Sequence, residues 1–241
     1  VGGAWGWGCG AGERAMEETV GEARVQRVAA AAGCRQGQIG RRASYPLMAA
    51  EEGMIAMITA DSGRGPKHVA PFGGREKRLG TNPISIAMPS NLDGPFFIDM
   101  ASSAVAAGKI NLALARGDDI PEGWIIDKDG QATTNPAAFK EGGPLLPLGG
   151  TEGYKGYGLS AMIEIFSGIL TGLGHGVEPS GRHNDGCFMA VFKVEAFRSL
   201  ETFKKEVADF AHYLKNTLPA DGFDEVLYPG EIEIKREQER R

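Results

Sequence analysis

The stretch GGTEGYKGYGLSAMIEIFSGILTG, Gly149 to Gly172, poses the question on which the fold turns. A glycine-rich loop with one lysine runs directly into an apolar, helix-like segment. Such a loop at a helix start is a place where backbone amides and a positive charge can meet a phosphate. It is equally the form of a flexible turn before a core helix. Two fingerprints separate the readings. The P-loop requires G-x-x-x-x-G-K-[ST], whose hydroxyl serves a magnesium ion. Neither GGTEGYKGYG nor GGREKRLG (Gly73 to Gly80) contains it. The dinucleotide fingerprint requires G-x-G-x-x-G between a strand and a helix. Gly153 to Gly158 run G-x-x-G-x-G, the wrong order, and no strand precedes the nearer match GWGCGAGERAM. A doubly wound Rossmann sheet is therefore not the expected fold.

Outward from this loop, short apolar runs alternate with helical patterns. LMAAEEGMIAMITA reads as a short helix, a stop at Gly53 and a buried strand from Met54 to Ala60. ISIAMP and FFIDM flank the turn SNLDG and predict a hairpin. CFMAVFKV is a further buried strand. Residues 13–32 favour helix, 33–46 lack a period, and ASSAVAAGKINLALARG predicts a helix closed by Gly117. WIIDKDGQATTNP predicts a short strand and a turn at Asp129-Gly130. Over residues 195–216, Phe197, Leu200, Phe203, Val207, Phe210 and Leu214 recur at helical steps. The tail EIEIKREQERR predicts an alternating strand followed by the start of a charged helix. With a hairpin among these elements, the expected class is α+β: a mixed, mainly antiparallel sheet flanked by helices, non-Rossmann.

The 241-residue length suits one large or two small domains. The 36 glycines are roughly twice the usual share without a collagen-like period, which predicts many tight turns. A net charge of −5 with no basic stripe argues against nucleic acid as a partner. Three cysteines, Cys9, Cys34 and Cys187, cannot all pair and form no CxxC, which favours a reducing, cytoplasmic location. Leu159 to Leu170 is too short to span a membrane and contains Glu164, and no signal peptide is recognisable at Val1.

The four histidines, His68, His175, His183 and His212, show no metal-ligand spacing, and a G-x-S-x-G elbow is missing. Four patches carry candidate chemistry instead. Ser62 opens the long loop from Asp61 to Asn82, and a loop of that length in a compact domain is commonly functional. Thr81 and Asn82 precede Pro83. Asp99 to Ser103 place an acid at a strand end before a helix, where it can hold a ribose or, equally, cap the helix. Lys155 is the fourth. Arg75, Lys77 and Arg78 stand as further cations for acid groups, or as a solvated loop face.

The strings VAPFGGREKRLGTNPISIAMP, FFIDMASSAVAAGKI, IPEGWIIDKDGQATTNP, LLPLGG with GYKGYGLSAMIEIFSGILTG, and LYPGE occur in this order. Together, from about Tyr45 to Glu231, they resemble the malate/L-lactate/ureidoglycolate dehydrogenase family, which includes cyclic imino acid reductases. The resemblance implies an oxidoreductase using NAD or NADP on a mainly antiparallel sheet. It would act on a small 2-hydroxy or 2-oxo acid, as a homodimer, with neither nucleic acid nor membrane as partner and no metal. It implies cofactor contacts at Ser62, at Asp99, Met100 and Ala101, at Lys155, and at Gly230 and Glu231. Thr81 and Asn82 are expected to line the same cleft.

The departures are specific. Gln38 stands where the family pattern has the proton-carrying histidine, and glutamine cannot exchange a proton near neutral pH. The catalytic residue is thus unassigned, with His68 and His183 in reserve. The whole stretch from Val25 to Ser44 departs from the pattern. The resemblance also implies a helical region with a second histidine before Val1 and further residues after Arg241. The expected organisation is one cofactor-binding core over 1–241, truncated at both ends, with a possible helical subdivision within 101–172. A non-catalytic cofactor-binding or structural remnant stays open beside the enzyme reading.

Overall fold

The computed structural model describes residues 8–61, 63–178 and 185–240. The elements, in chain order, are α1 (Gly8–Gln26), β1 (Val28–Gln36), α2 (Ser44–Glu51), β2 (Met54–Ala60), β3 (Ile84–Met88) and β4 (Phe96–Met100). They continue with α3 (Ala107–Arg116), α4 (Ala137–Lys140), α5 (Tyr154–Glu164), β5 (Asp185–Lys193), α6 (Leu200–Lys215) and α7 (Glu231–Arg240). The strands form one sheet in the order β1-β5-β2-β3-β4, and every neighbouring pair is antiparallel. The α+β, non-Rossmann class read from the sequence is the class observed.

Register assigns the two faces. Met54, Ala56, Ile58 and Ala60 of β2 alternate onto one face and are buried. They pack with Met189 and Val191 of β5 under Met16, Val20 and Ala23 of α1 and Ala49 of α2. The opposite face carries Ile55, Met57, Ile84, Ile86, Ile98 and Met100, all half-buried. A second core of Val69, Ile110, Ile120, Ile125, Phe139 and Leu145 gathers the loops around α3 and α4.

Three expectations are corrected. Residues 28–32, VAAAA, are strand rather than helix. Arg27 at φ +75 ends the helical path, and Val28 to Ala32 take their hydrogen bonds from β5, opposite Phe192 to Phe188. Cross-strand pairing outweighs the modest helix preference of alanine. Second, α3 starts at Ala107, not Ala101, because Ser102 and Ala104 donate their amides to Thr81 and Leu146. Third, the EIEIK tail is helical. Ile234 packs beside Ala87 and Phe97 while Ile232 faces out, as two residues 200° apart on a helix must. Glu231 accepts the Tyr228 amide at 3.2 Å, which ties down the turn that starts α7.

The helix that follows the lysine loop buries only a narrow stripe. Gly156, Ser160, Ile163 and Glu164 face inward, while Met162, Ile165, Phe166, Ile169 and Leu170 are exposed. A π-helical turn, Ile165–Ile169, ends it. The expected core helix is therefore a half-covered one, with its apolar side outward.

Candidate functional site

The candidate residues come together because backbone groups at strand ends bond one another. Asp99 is the penultimate residue of β4, and its Oδ2 accepts the Ala43 amide at 2.9 Å. That bond ties the Gln38 to Ala43 segment to the end of the hairpin, and Gln38 itself is exposed. Asp99 thus holds the N-cap residue of α2 and does not cap α3, which has Ala106 at its N-cap without a side-chain bond. Gly230 sits beside the same strand. Its φ is +94, and a Cβ there would lie 2.6 Å from the Phe97 ring, so only glycine fits.

Ser102, one residue past Ala101, donates its hydroxyl to the carbonyls of Thr81 and Asn82 at 3.1 and 2.8 Å. Its own carbonyl accepts the Leu148 amide at 3.0 Å. Leu148 leads into the lysine loop, where Gly149 and Gly150 hold φ of +121 and +57. The carbonyl of Leu148 lies 2.1 Å from where a Cβ on Gly156 would be, so the loop and the first turn of α5 touch backbone to backbone. Lys155 points to solvent with its side chain 67 % exposed, and its ion partner, Glu152, is 3.6 Å away.

A buried polar network lies beneath. Lys67, 1 % exposed at its side chain, is 3.0 Å from Oε1 of Glu164, itself 8 % exposed. Lys67 also donates to the Gly63 carbonyl at 2.7 Å. Glu164 Oε2 accepts the Asn82 amide at 2.8 Å, and the same amide reaches the Ser160 carbonyl at 3.0 Å. Asn82 holds φ +35, a strained value for a non-glycine residue, and this double anchor maintains it. Asp61 is buried beside the network. Its Oδ1 accepts the amides of Gly63 and Gly186, while Oδ2 has no hydrogen bond among the described residues. Burial pushes its carboxyl from 3.8 up to about 6. The two amides oppose that shift, the Glu164 charge adds to it and Lys67 subtracts.

The remaining candidates separate. The Glu231 carboxylate is spent internally on Lys215, Lys235 and the Tyr228 amide. Burial raises its pKa, but those partners hold it below the usual carboxylate value. Ser62 and His183 lie outside the described residues. His68 sits half-buried against Phe139, 6.0 Å between ring centroids, and burial together with Lys77, Lys140 and Lys67 lowers its pKa. Lys77 lies over the same Phe139 ring. Sequence reasoning passed over Lys67 and Glu164. The available signal was an acid inside an otherwise apolar helical run, counted only as an argument against a membrane span.

The arrangement defines a class. A glycine-rich, cationic loop at a helix start lies against the end of an antiparallel hairpin, with no Rossmann crossover. The chain belongs to the malate/L-lactate dehydrogenase family, whose sequence model matches residues 1–241. It is 38 % identical over 228 residues to malate dehydrogenase of Pyrococcus horikoshii, covering 91 % of this chain and 62 % of that protein. It is 35 % identical over 236 residues to ureidoglycolate dehydrogenase (NAD(+)) of Escherichia coli O157:H7, covering 95 % and 65 %. Among solved structures, sulfolactate dehydrogenase of Methanocaldococcus jannaschii superposes with a TM-score of 0.87 at 38 % identity, over 99 % of this chain and 68 % of that one. Malate dehydrogenase of Entamoeba histolytica gives 0.92 at 30 % identity, over 100 % and 70 %. The chain spans less than two thirds of the length of the two curated relatives.

Proposed function

We propose that this chain forms the dinucleotide-binding part of an NAD- or NADP-dependent oxidoreductase acting on a small 2-hydroxy or 2-oxo acid of the malate, lactate or ureidoglycolate type. The observation that carries this reading is the convergence of Thr81-Asn82, Asp99–Ser103 and the lysine loop through Ser102. The residues suit a dinucleotide. Gly150 has open space where a side chain would stand, which admits a phosphate close to the backbone. Lys155 offers a mobile positive charge above it. The exposed Asp99 carboxylate keeps one oxygen for a ribose hydroxyl. Ser62, Met100, Ala101, Gly230 and Glu231 complete the proposed contacts, Glu231 by holding the Gly230 turn. The nicotinamide cofactor supplies the hydride when bound; the chain supplies orientation and charge. A homodimer, a cytoplasmic location and a single core over 1–241 belong to the same proposal, the first supported by the apolar outer side of α5.

A second reading rests on Gln38, an exposed amide where a proton carrier is needed: the chain binds the dinucleotide without turning over. Fluorescence titration with NADH and NADPH, followed by assays of malate, lactate and ureidoglycolate oxidation, separates the two. Turnover by the unaltered chain sinks the second reading, and binding without turnover supports it. Gln38→His then restores oxidation if that position alone is deficient. Failure to bind either dinucleotide removes both readings.

A further inference from the structure

We propose that Glu164 is the positioning residue of the cleft: one buried carboxylate sets the relative placement of the 63–67, Thr81-Asn82, Asp99–Ser102 and lysine-loop segments that would hold the dinucleotide. The inference rests on the cofactor reading above and extends it to a residue that touches no ligand.

The geometry is a closed circuit. From Glu164, one oxygen reaches Lys67, whose ammonium also holds the Gly63 carbonyl and so fixes the loop that opens with Ser62. The other oxygen holds the Asn82 amide. The carbonyls of Thr81 and Asn82 hold the Ser102 hydroxyl, directly after Asp99–Ala101. Ser102 in turn holds Leu148, and Leu148 abuts Gly156 in the helix that carries both Lys155 and Glu164. Two segments distant in sequence thus meet on one side chain, and two more are linked to it through Asn82 and Ser102. A carboxylate suits this position because it accepts from both sides at once. A glutamine presents a donor to either Lys67 or Asn82 and must fail one of them.

A purely structural ion pair predicts something different. A buried pair can be replaced by apolar groups of similar volume with little loss of stability. If Glu164 only neutralises Lys67, the pair Lys67→Met/Glu164→Met restores both folding and ligand binding. If it positions the cleft, that pair restores stability but leaves Asn82 held by the Ser160 carbonyl alone, without its link to Glu164.

The experiment compares the full chain, Glu164→Gln and Lys67→Met/Glu164→Met by NADH titration, thermal melting and amide hydrogen exchange. The expected result is at least a tenfold loss of NADH affinity in both variants. The double variant melts near the unaltered chain, and exchange rises together over residues 63–69, 79–85 and 101–106 but not in the β1–β5 pair. Recovery of affinity in the double variant overturns the proposal. So does exchange that changes everywhere equally or only around residue 67. If the unaltered chain holds neither NADH nor NADPH, the functional reading falls on its own, and the joint or separate response of the three segments still decides the role of Glu164.

Discussion

Asp61 and Lys155 show two opposite uses of a charge. Asp61 is 1 % exposed, and burial makes its folded form hold a proton more tightly than the unfolded chain does. The sign follows from linkage. With the folded pKa near 6 and the unfolded value near 3.8, the folded state binds more protons between these limits, and this group's contribution to stability falls as pH rises through that window. Above pH 6 the penalty is complete, at about 3 kcal/mol for a shift of this size. Asp61→Asn keeps an oxygen for the Gly63 and Gly186 amides and removes the titration. Relative to the unaltered chain it should melt higher at pH 8 and nearly alike at pH 3, below both pKa values; an equal difference at both values refutes this account. Lys155 lies at the surface, where a pair as long as 3.6 Å to Glu152 adds at most about 1 kcal/mol. So weak and exposed a pair leaves its charge available to a ligand. Lys155→Gln should leave Tm within about 2 °C and weaken NADH binding about tenfold, the loss expected for a charge-assisted contact. Unchanged binding removes Lys155 from the site.

At the scale of elements, α5 is held by two glycines with opposite sensitivities. Gly156 meets the Leu148 carbonyl, and a Cβ at 2.1 Å forces the helix off the loop. Gly156→Ala should cost about 1–3 kcal/mol as an overpacked contact. Gly158, two residues on, has nothing within 4 Å. Gly158→Ala should stabilise by about 0.5–1 kcal/mol through helix propensity alone. Thermal melting of the two variants checks both signs, and a shared direction would contradict the backbone contact. The same elements show where the sequence was legible. β2, the β3–β4 hairpin and β5 were readable because each is a short apolar run between turn signals. β1 was not, because alanines carry no period and its pairing with β5 lies more than 150 residues away. The tail misled because EIEIK alternates like a strand, although only Ile234 finds a core. At the candidate site, the motifs pointed to Asp99, Lys155 and the Thr81-Asn82 step, yet Lys67 and Glu164 belong to no motif. Their meaning is a contact between residues 97 positions apart, which local pattern cannot reveal.

For the whole molecule, the unresolved balance is apolar surface. One face of the sheet is sealed by α1 and α2, whereas the other is half-buried, and beside it α5 and its π-helical turn expose Met162, Ile165, Phe166, Ile169 and Leu170. These side chains are neighbours at helical spacing, so they form one patch rather than scattered exposures. A contiguous apolar patch of this kind marks an interaction surface. The proposed covering by a second copy would explain why a helix that begins with the proposed cofactor lysine turns its apolar side outward: the interface would then stiffen the element that positions Lys155. A charge in the middle of the patch tests this directly. Ile169 is 49 % exposed, so Ile169→Asp adds a carboxylate without emptying a core. Leu218, 88 % exposed and isolated beyond α6, gives the matched control Leu218→Asp. Sedimentation velocity at micromolar concentration should show a dimer for the unaltered chain and for Leu218→Asp, and a monomer for Ile169→Asp. Because the interface would brace α5, the Ile169→Asp monomer should also bind NADH less tightly than the control. A monomeric unaltered chain, or a dimer indifferent to Ile169→Asp, places the homodimer contact elsewhere or removes it, and leaves the outward side of α5 without this role.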